Sequence, residues 1–297
     1  MIRLGDKMKN NIIKIIKSLI IFLLFIIVFA AGFIIVGFFK NQSIDNPIDD
    51  FIGPKDEFLF LLAGVDSTGE ETGTRTDTLM LVRADSKNKE VDMISIPRDS
   101  YVSINGSMDK INAAHSYGGI DLTMSVVRDF MGINLNKYFV ISFQAVIEGI
   151  DALGGMDVDV SNEVAEAMGI SPGVHSMTGQ EVLTYVRFRK GYQNADLGRI
   201  NTQQDFLKQF IKEATKVTNL PKLPKVYAAM KPYIKTNMDF KELSSLAMKF
   251  KTVDSSNINS VKLEGEGFNM DGISYYEIYP ESIENVRTTY LNSFLRN

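Results

Sequence analysis

The sequence concentrates its arginines in three short segments that also carry carboxylates. Only ten of its 32 basic residues are arginine, and half of these lie in the three segments: Arg75, Arg98, Arg187, Arg189 and Arg199. Guanidinium is a planar, permanently charged fork that binds phosphate oxygens in pairs, whereas the ammonium of lysine offers a point charge. The distribution therefore indicates a site for a phosphate-containing anion, and an anion with two phosphates would occupy all three segments.

The densest segment is YVRFRKGYQNADLGRINTQQ, residues 185–204. Arg187 and Arg189 are two residues apart, which aligns their side chains in extended chain but separates them on a helix. Gly191 follows closely and favours a helix that is ending. Arg199 and Gln203 have the i, i+4 spacing that places side chains one above the other on a helix. We interpret this as a fork of guanidinium groups beside an amide; the alternative is a solvated cationic face.

A second segment, GVDSTGEETGTRTDT at 64–78, places Asp66 just after an apolar run and Arg75 two residues before Asp77. Residues i and i+2 share a face in extended chain, so Arg75 and Asp77 are expected to point into one crevice. Ligand crevices in α/β sheets lie outside strand ends, and Mg²⁺ takes one or two carboxylates together with phosphate oxygens. Asp66 and Asp77 are therefore candidate ligands of Mg²⁺ (or Mn²⁺); the alternative is a solvated loop.

The third segment runs from IPRDSYV to KINAAHSYGG and contains the candidates Arg98 and Lys110. Arg98 is followed by Asp99, so a simple surface ion pair is the alternative to phosphate binding. Lys110 has an equally plain alternative as an exposed lysine. His115 is interpreted as a hydrogen-bonding loop residue rather than a metal ligand.

The composition excludes several other chemistries. The chain has no cysteine, so it forms no disulfide, thiol nucleophile or thiolate metal site. It has only two histidines, which makes a histidine-type zinc site improbable. No Gly-x-Ser-x-Gly sequence occurs, so the nucleophile elbow of serine hydrolases is missing.

Strands and helices are predicted to alternate along the chain and to position these residues. Continuous or alternating apolar runs predict strands at 58–64, 77–85, 91–99, 138–142, 156–160 and 259–264. Helices are predicted from Asp121 to Met131, over 143–155, from a Thr178–Glu181 capping box onward, over 223–235 and 239–252, and from Pro280. Strands alternating with helices favour a layered α/β domain with a central sheet.

The N-terminus predicts a membrane anchor. Residues 19–39 are uncharged, a length that crosses a hydrocarbon core of about 30 Å. Residues 1–18 carry five basic side chains against one aspartate and are expected to stay cytoplasmic by the positive-inside rule. The alternative is a cleaved signal peptide, but apolar signal regions run for about 7–15 residues and this run continues past Ala30 and Ala31.

An uncleaved anchor predicts a single-pass protein of the cell membrane. Residues 40–56 then form a linker, and residues 57–297 form an extracytoplasmic domain. From residue 40 onward the chain has 27 basic against 35 acidic side chains. A fold-wide basic field for nucleic acid is therefore missing, and the anion site must be a local pocket.

Five blocks in order resemble the LytR-CpsA-Psr family. They are GVDSTGEETGTRTDTLMLV, ISIPRDSYV, KINAAHSYGG, GIDALGGMDVDV, and MTGQEVLTYVRFRK followed by DLGRINTQQ. The resemblance extends from about residue 56 to the C-terminus and includes the preceding single anchor. It implies a three-layer α/β/α domain with a central mixed β-sheet and a long apolar pocket for a polyprenyl chain.

The activity implied by the resemblance is an extracytoplasmic phosphotransferase of Gram-positive type. Such an enzyme takes a glycopolymer, such as teichoic acid or capsule, from an undecaprenyl-diphosphate carrier and joins it to peptidoglycan through a phosphodiester. Asp66 and Asp77 match the family's magnesium-associated carboxylates. The positions that match residues around the lipid pyrophosphate are Arg75, Arg98, Lys110, Arg187, Arg189, Arg199 and Gln203, with Asp196 as an acidic residue in the same block.

The sequence departs from the family pattern at two positions. Many members have an arginine two residues after the first aspartate, where this chain has Thr68, and another three residues after Arg199, where it has Thr202. Both departures leave the core set intact and concern glycan or acceptor contacts. Asp66 and Asp196 are both candidates for the general base.

Three other functions compete with the transferase. A hydrolase would cleave the same lipid pyrophosphate with water in place of a sugar hydroxyl. A binding or scaffold protein would hold lipid-linked glycans without turnover, although paired carboxylates beside arginines weigh against it. A DNA-binding regulator conflicts with the outward topology and the acidic outer portion.

Overall fold

The computed structural model describes residues 56–65, 74–160, 162–187, 221–239, 242–243, 246 and 257–296. These residues fall into two compact units. The sheet unit comprises the described residues up to Phe143 and those from Tyr233 onward, and the second unit comprises those from Gln144 to Pro232. The candidates Asp66, Arg189, Asp196, Arg199 and Gln203 lie outside the described residues.

The sheet unit contains a central mixed sheet formed by β1 (Glu57–Val65), β2 (Thr76–Asp85), β3 (Glu90–Ser95), β6 (Tyr138–Ser142), β9 (Ile234–Thr236) and β10 (Ile258–Lys262). Their order across the sheet is β10-β3-β2-β1-β6-β9. Strand β1 pairs in parallel with β6 and antiparallel with β2, and β3 pairs in parallel with β10. The central sheet predicted from the strand pattern is confirmed, and it is mixed, as the family resemblance implies.

Strand β1 is the centre of the core because its side chains are apolar on both faces. Leu59, Leu61 and Ala63 face one way and pack in a cluster with residues of α1 (Ala113–Met131) and α6 (Pro280–Tyr290). Phe58 and Phe60 face the other way and are fully buried. A continuous apolar run that is buried on both faces is typical of an inner strand with a parallel neighbour, as the sequence predicted.

Several boundaries differ from those predicted. The predicted helix over 223–235 ends at Met230, and residues 234–236 form β9. Strand β3 ends at Ser95 instead of residue 99, because Pro97 has no backbone N–H for a sheet ladder. Helix α1 starts at Ala113, eight residues before the predicted start at Asp121, and is kinked at Gly118 and Gly119. Two adjacent glycines lower the helical propensity of that region. The sequence alone therefore does not predict the first turn.

Two hairpins flank the sheet in the same unit. They are β4 (Tyr101–Ile104) with β5 (Ser107–Lys110), and β11 (Gly265–Met270) with β12 (Ile273–Ile278). The ring of Tyr101 packs edge-on against Tyr275 and Phe268, with centroid separations of 4.9 and 5.4 Å. This contact fixes one hairpin against the other close to the turn that carries Arg98.

The second unit contains most of α2 (Phe143–Leu153), together with β7 (Met156–Val160), α3 (Asn162–Met168), β8 (Gly173–Met177), α4 (Gly179–Arg187) and α5 (Leu223–Met230). The predicted capping box is confirmed. The backbone N–H of Thr178 donates to the Glu181 carboxylate at 2.8 Å, and the N–H of Glu181 is 3.3 Å from the Thr178 hydroxyl. Helix α4 therefore begins where the sequence placed it and ends at Arg187.

No helix within the described residues is long and apolar enough to cross a membrane. The predicted anchor at 19–39 lies outside those residues, as does the linker up to residue 55.

Candidate active site

Asp77 is the extra residue of an irregularity in the β1–β2 pairing. Gly64 pairs with Thr78 and Val65 pairs with Thr76, so the register passes over Asp77. Thr76 is fully buried, whereas Arg75 and Asp77 on either side of it are exposed. Bulges of this kind bend a strand and redirect a side chain, often beside active sites. The structure thus supports the expectation that Arg75 and Asp77 share a face.

A chain of alternating charges extends from Asp77 across the unit. Arg98 Nη1 donates to Asp77 Oδ1 at 2.7 Å, and Arg98 Nε lies 3.7 Å from Asp99 Oδ2. Lys110 Nζ donates to Asp99 Oδ1 at 2.8 Å. The side chains of Arg98 and Asp77 are 50% and 40% exposed, so their ion pair adds only about 0–1 kcal/mol to stability. Its main consequence is to orient the guanidinium of Arg98.

The turn that carries Arg98 is held by its backbone. Four of its carbonyl groups accept backbone hydrogen bonds: Pro97 from Ser100, Arg98 from Asn112, Asp99 from Tyr276, and Ser100 from Ile111. Buried backbone groups require such partners, and here they come from the turn itself, from the segment preceding α1 and from β12. The site is therefore built on a rigid turn, which keeps an exposed arginine in place without packing its side chain.

His115 fixes the backbone that precedes Arg75. Its Nδ1 donates to the carbonyl of Thr74 at 2.9 Å, and only 4% of the residue is exposed. Burial lowers the pKa of His115, and the charge of Lys235 acts in the same direction, against the hydrogen bond to Thr74. The interpretation as a hydrogen-bonding residue is confirmed, although His115 lies on α1 and not in a loop.

The structure brings four of the ten candidates into the sheet unit: Arg75, Asp77, Arg98 and Lys110. Arg187 is the last residue of α4, in the second unit. Asp66, which follows β1 directly, lies outside the described residues together with the remaining four candidates.

The sequence pattern did not indicate Tyr117 and Asp109 as candidate site residues. The hydroxyl of Tyr117 donates to Asp109 Oδ2 at 2.6 Å. This hydrogen bond, together with the charge of Asp109, raises the pKa of Tyr117. A signal existed in the sequence, because Asp109 directly precedes Lys110 and Tyr117 stands two residues after His115.

The described part of the site offers Asp77 as a ligand for a divalent cation. Among the described residues no group of three or more histidine or carboxylate side chains could hold a metal ion. Asp77 engages Arg98 through Oδ1, which leaves Oδ2 available to a further ligand. One carboxylate oxygen from the protein, together with phosphate oxygens and water, is a ligand set that Mg²⁺ commonly takes.

The chain is similar to known proteins over most of its length. A sequence model of the LytR_cpsA_psr family matches residues 39–292. The polyisoprenyl-teichoic acid–peptidoglycan teichoic acid transferase TagU of Bacillus licheniformis is 29% identical over 250 residues, which cover 83% of this chain and 80% of TagU.

Two solved structures with bound molecules share the fold. TagT bound to LI-WTA matches with a TM-score of 0.60 and 26% identity, over 85% of this chain and 98% of that chain. The LytR-CPS2A-psr family protein YwtF (TagT) with bound octaprenyl pyrophosphate lipid has a TM-score of 0.57 and 25% identity, over 86% of this chain and 94% of that chain. The resemblance read from the sequence is confirmed, and the chain belongs to the LytR_cpsA_psr family.

Proposed function

We propose that this protein transfers a glycopolymer phosphate from a polyprenyl-diphosphate carrier to peptidoglycan and forms a phosphodiester. The observation that carries the proposal is the Asp77–Arg98–Asp99–Lys110 chain of charges, with Arg75 exposed beside it. The proteins similar to this one include a teichoic acid transferase and a protein with bound octaprenyl pyrophosphate. A teichoic acid is therefore the first polymer to test, followed by capsular and other wall glycans.

Phosphoryl transfer depends mainly on positioning and on stabilising the charge of the transferring group. Arg75 and Arg98 would hold oxygens of the glycan-side phosphate. The match to the family pattern assigns Arg187, Arg189, Arg199 and Gln203 to the same lipid pyrophosphate. An acceptor hydroxyl attacks the glycan-side phosphorus, and the bridging P–O bond breaks to release the polyprenyl phosphate. Asp66 or Asp196 takes the proton of the hydroxyl.

We assign a divalent cation, Mg²⁺ or Mn²⁺, to Asp66 and Asp77. The cation supplies positive charge that neutralises the pyrophosphate. Asp77 keeps a role of its own, because its Oδ1 orients Arg98 whether or not a cation is bound. Lys110 is held by Asp99 at 2.8 Å and adds a further fixed positive charge at the edge of this group.

The proposed location is the outer face of the cell membrane. An anchor at residues 19–39 would keep the N-terminus cytoplasmic and place residues 57–297, folded as a three-layer α/β/α domain, outside. This arrangement puts the phosphate-binding residues on the side where a lipid-linked polymer meets the wall.

The proposal is tested by following transfer of a labelled glycan from a polyprenyl-diphosphate substrate to peptidoglycan in vitro. Arg98→Ala is expected to lower the rate by about 100-fold or more, and Arg187→Ala and Arg199→Ala to abolish attachment. The matched control is Arg296→Ala, another exposed arginine that pairs with Asp129 at 2.7 Å. Its rate should stay within twofold of wild type.

Product analysis separates the rival functions. Free glycan phosphate released at the same rate with and without peptidoglycan would identify a hydrolase. Retention of the lipid without any product would identify a binding protein. Normal attachment by the Arg187→Ala or Arg199→Ala variant would refute the site assignment, and undiminished transfer in excess EDTA would refute the role of the cation.

A further inference from the structure

A kink at Gly118 and Gly119 gives the first turn of α1 a different direction from the rest of the helix. Gly118 has φ −153° and ψ 24°, and Gly119 has φ 62° and ψ −156°. The conformation of Gly119 belongs to a region that only glycine occupies readily. A Cβ at position 118 would lie 2.7 Å from the Cβ of Leu122. The kink therefore depends on both glycines, and it sets the direction of the turn that ends in Tyr117.

Tyr117 presents an exposed ring whose hydroxyl is fixed. The residue is 59% exposed, although its hydroxyl donates to Asp109 Oδ2 at 2.6 Å. Asp109 is fixed in turn, because its Oδ1 accepts the backbone N–H of Lys110 at 2.7 Å. Tyrosines at the surface ordinarily keep their ring against the protein and their hydroxyl in water. Here Asp109 holds the hydroxyl, and the side chain as a whole stays largely exposed.

The ring lies beside the cations assigned to the phosphate. Tyr117 follows His115 by two residues, and His115 is hydrogen-bonded to Thr74, the residue before Arg75. The charge of Arg75 reaches Tyr117, whose pKa it lowers against the larger effect of Asp109. From the other side, Asp109 is the neighbour of Lys110, which belongs to the same chain of charges as Arg98. Tyr117 therefore borders the phosphate-binding residues on two sides.

A flat aromatic face beside a phosphate site suits the sugar that is esterified to that phosphate. A pyranose ring has a face of C–H groups that packs on an aromatic ring, whose face carries negative charge. The first sugar is one ester oxygen from the phosphorus, and it stays attached to that phosphate before and after transfer. A ring at the border of the phosphate site can therefore contact this sugar throughout the reaction.

We propose that Tyr117 is the stacking surface for the sugar attached to the transferred phosphate, and that Asp109 and the Gly118–Gly119 kink hold the ring in position. This inference rests on the proposed function and adds to it a subsite for the donor glycan. It predicts that Tyr117 contributes to binding only when the lipid pyrophosphate carries a sugar.

The test compares two ligands on the full-length protein in detergent. One is a short-chain prenyl pyrophosphate without sugar, and the other is the same lipid pyrophosphate with one sugar attached. Tyr117→Ala is expected to weaken binding of the sugar-bearing ligand by about 3- to 10-fold, the range of one aromatic contact, and to leave binding of the bare ligand unchanged. Tyr117→Phe keeps the ring and should lose less. The control is Ile273→Ala, a side chain of similar exposure on β12.

The outcomes distinguish this inference from the proposed function. If wild type fails to bind the bare prenyl pyrophosphate, the proposed function is wrong. If wild type binds it and Tyr117→Ala weakens both ligands equally, Tyr117 supports the cations and the sugar subsite is refuted. An increase in the KM for peptidoglycan alone would assign the ring to the acceptor and also overturn the proposal.

Circular dichroism of each variant verifies folding. Asp109→Asn leaves the ring intact but weakens the hydrogen bond that holds it, and it provides a second test with the same expected selectivity.

Discussion

The imidazole of His115 donates from Nδ1 to the carbonyl of Thr74 at 2.9 Å and joins the first turn of α1 to the start of β2. Arg75, the next residue, is exposed, so its position is determined by its backbone more than by packing of its side chain. His115 is thus a positioning residue for Arg75.

Replacing His115 with leucine removes the donor and should reduce transfer by about 10-fold or more through misplacement of Arg75. His115→Asn is the matched variant, because the asparagine amide can donate from the place of Nδ1, and it should recover most of the rate. The decisive measurement is a double-mutant cycle with Arg75→Ala. If His115 acts through Arg75, His115→Leu has little further effect in the Arg75→Ala background; additive losses would refute the relationship.

Protonation of His115 should make stability depend on pH. Burial lowers the pKa of His115 in the folded protein, so between that pKa and about pH 6.5 the unfolded chain binds a proton that the folded chain does not. Stability is then complete above about pH 6.5 and falls with decreasing pH, by at most about 1.4 kcal/mol per pH unit. Urea unfolding at several pH values tests this, and His115→Asn should have a flatter profile. Equal slopes for both proteins would contradict it.

Much of the fold could be predicted from sequence because the strands are strongly apolar. The run at 58–64 lies within β1, and the capping box at Thr178 begins α4 as predicted. The two hairpins that flank the central sheet in the sheet unit were missed, although Asn105-Gly106 and Asp271-Gly272 form their turns and such pairs are a strong local hairpin signal. Each hairpin strand is only four to six residues long, so periodicity alone does not reveal it.

The candidate site was predictable in its residue types but not in its connections. Arginine beside aspartate suggested Arg98 paired with Asp99, whereas its shorter contact is with Asp77 of β2. That pairing depends on the irregular register between β1 and β2. No local sequence pattern predicts this irregularity. Tyr117 was missed for a related reason, since its role depends on a hydrogen bond to a different element.

Asp77 and Asp99 both contact Arg98, and their substitution should separate orientation from metal binding. Asp77→Asn removes a candidate cation ligand and should raise the Mg²⁺ concentration needed for half-maximal transfer by about 10-fold or more. Asp99→Asn disturbs Arg98 and Lys110 but leaves Asp77 in place. It should lower the rate without changing the Mg²⁺ dependence. The same Mg²⁺ response in both variants would remove Asp77 from the proposed cation site.

Arg83 holds three carboxylates together at the far end of the β1–β2–β3 pairing. It contacts Asp92 at 2.6 Å, Glu57 at 2.9 Å and Asp85 at 3.1 Å. The side chains of Asp92 and Asp85 are only 2% and 5% exposed, so their charges are largely removed from water. Hydrogen bonds from Asn88 and the charge of Arg83 lower the pKa of Asp85 despite its burial.

Arg83→Met would leave these acidic side chains buried without their cation, while keeping a side chain of similar length. Breaking a buried ion pair from one side costs about 3–5 kcal/mol, and we expect a loss of that size in the free energy of unfolding. Arg296→Met is the control, because its partner Asp129 is 66% exposed and surface pairs contribute about 0–1 kcal/mol. Chemical denaturation at neutral pH measures both. The deficit of Arg83→Met should shrink at acidic pH, where protonation relieves the unpaired carboxylates; a loss as small as that of the control would show that the network does not hold the sheet.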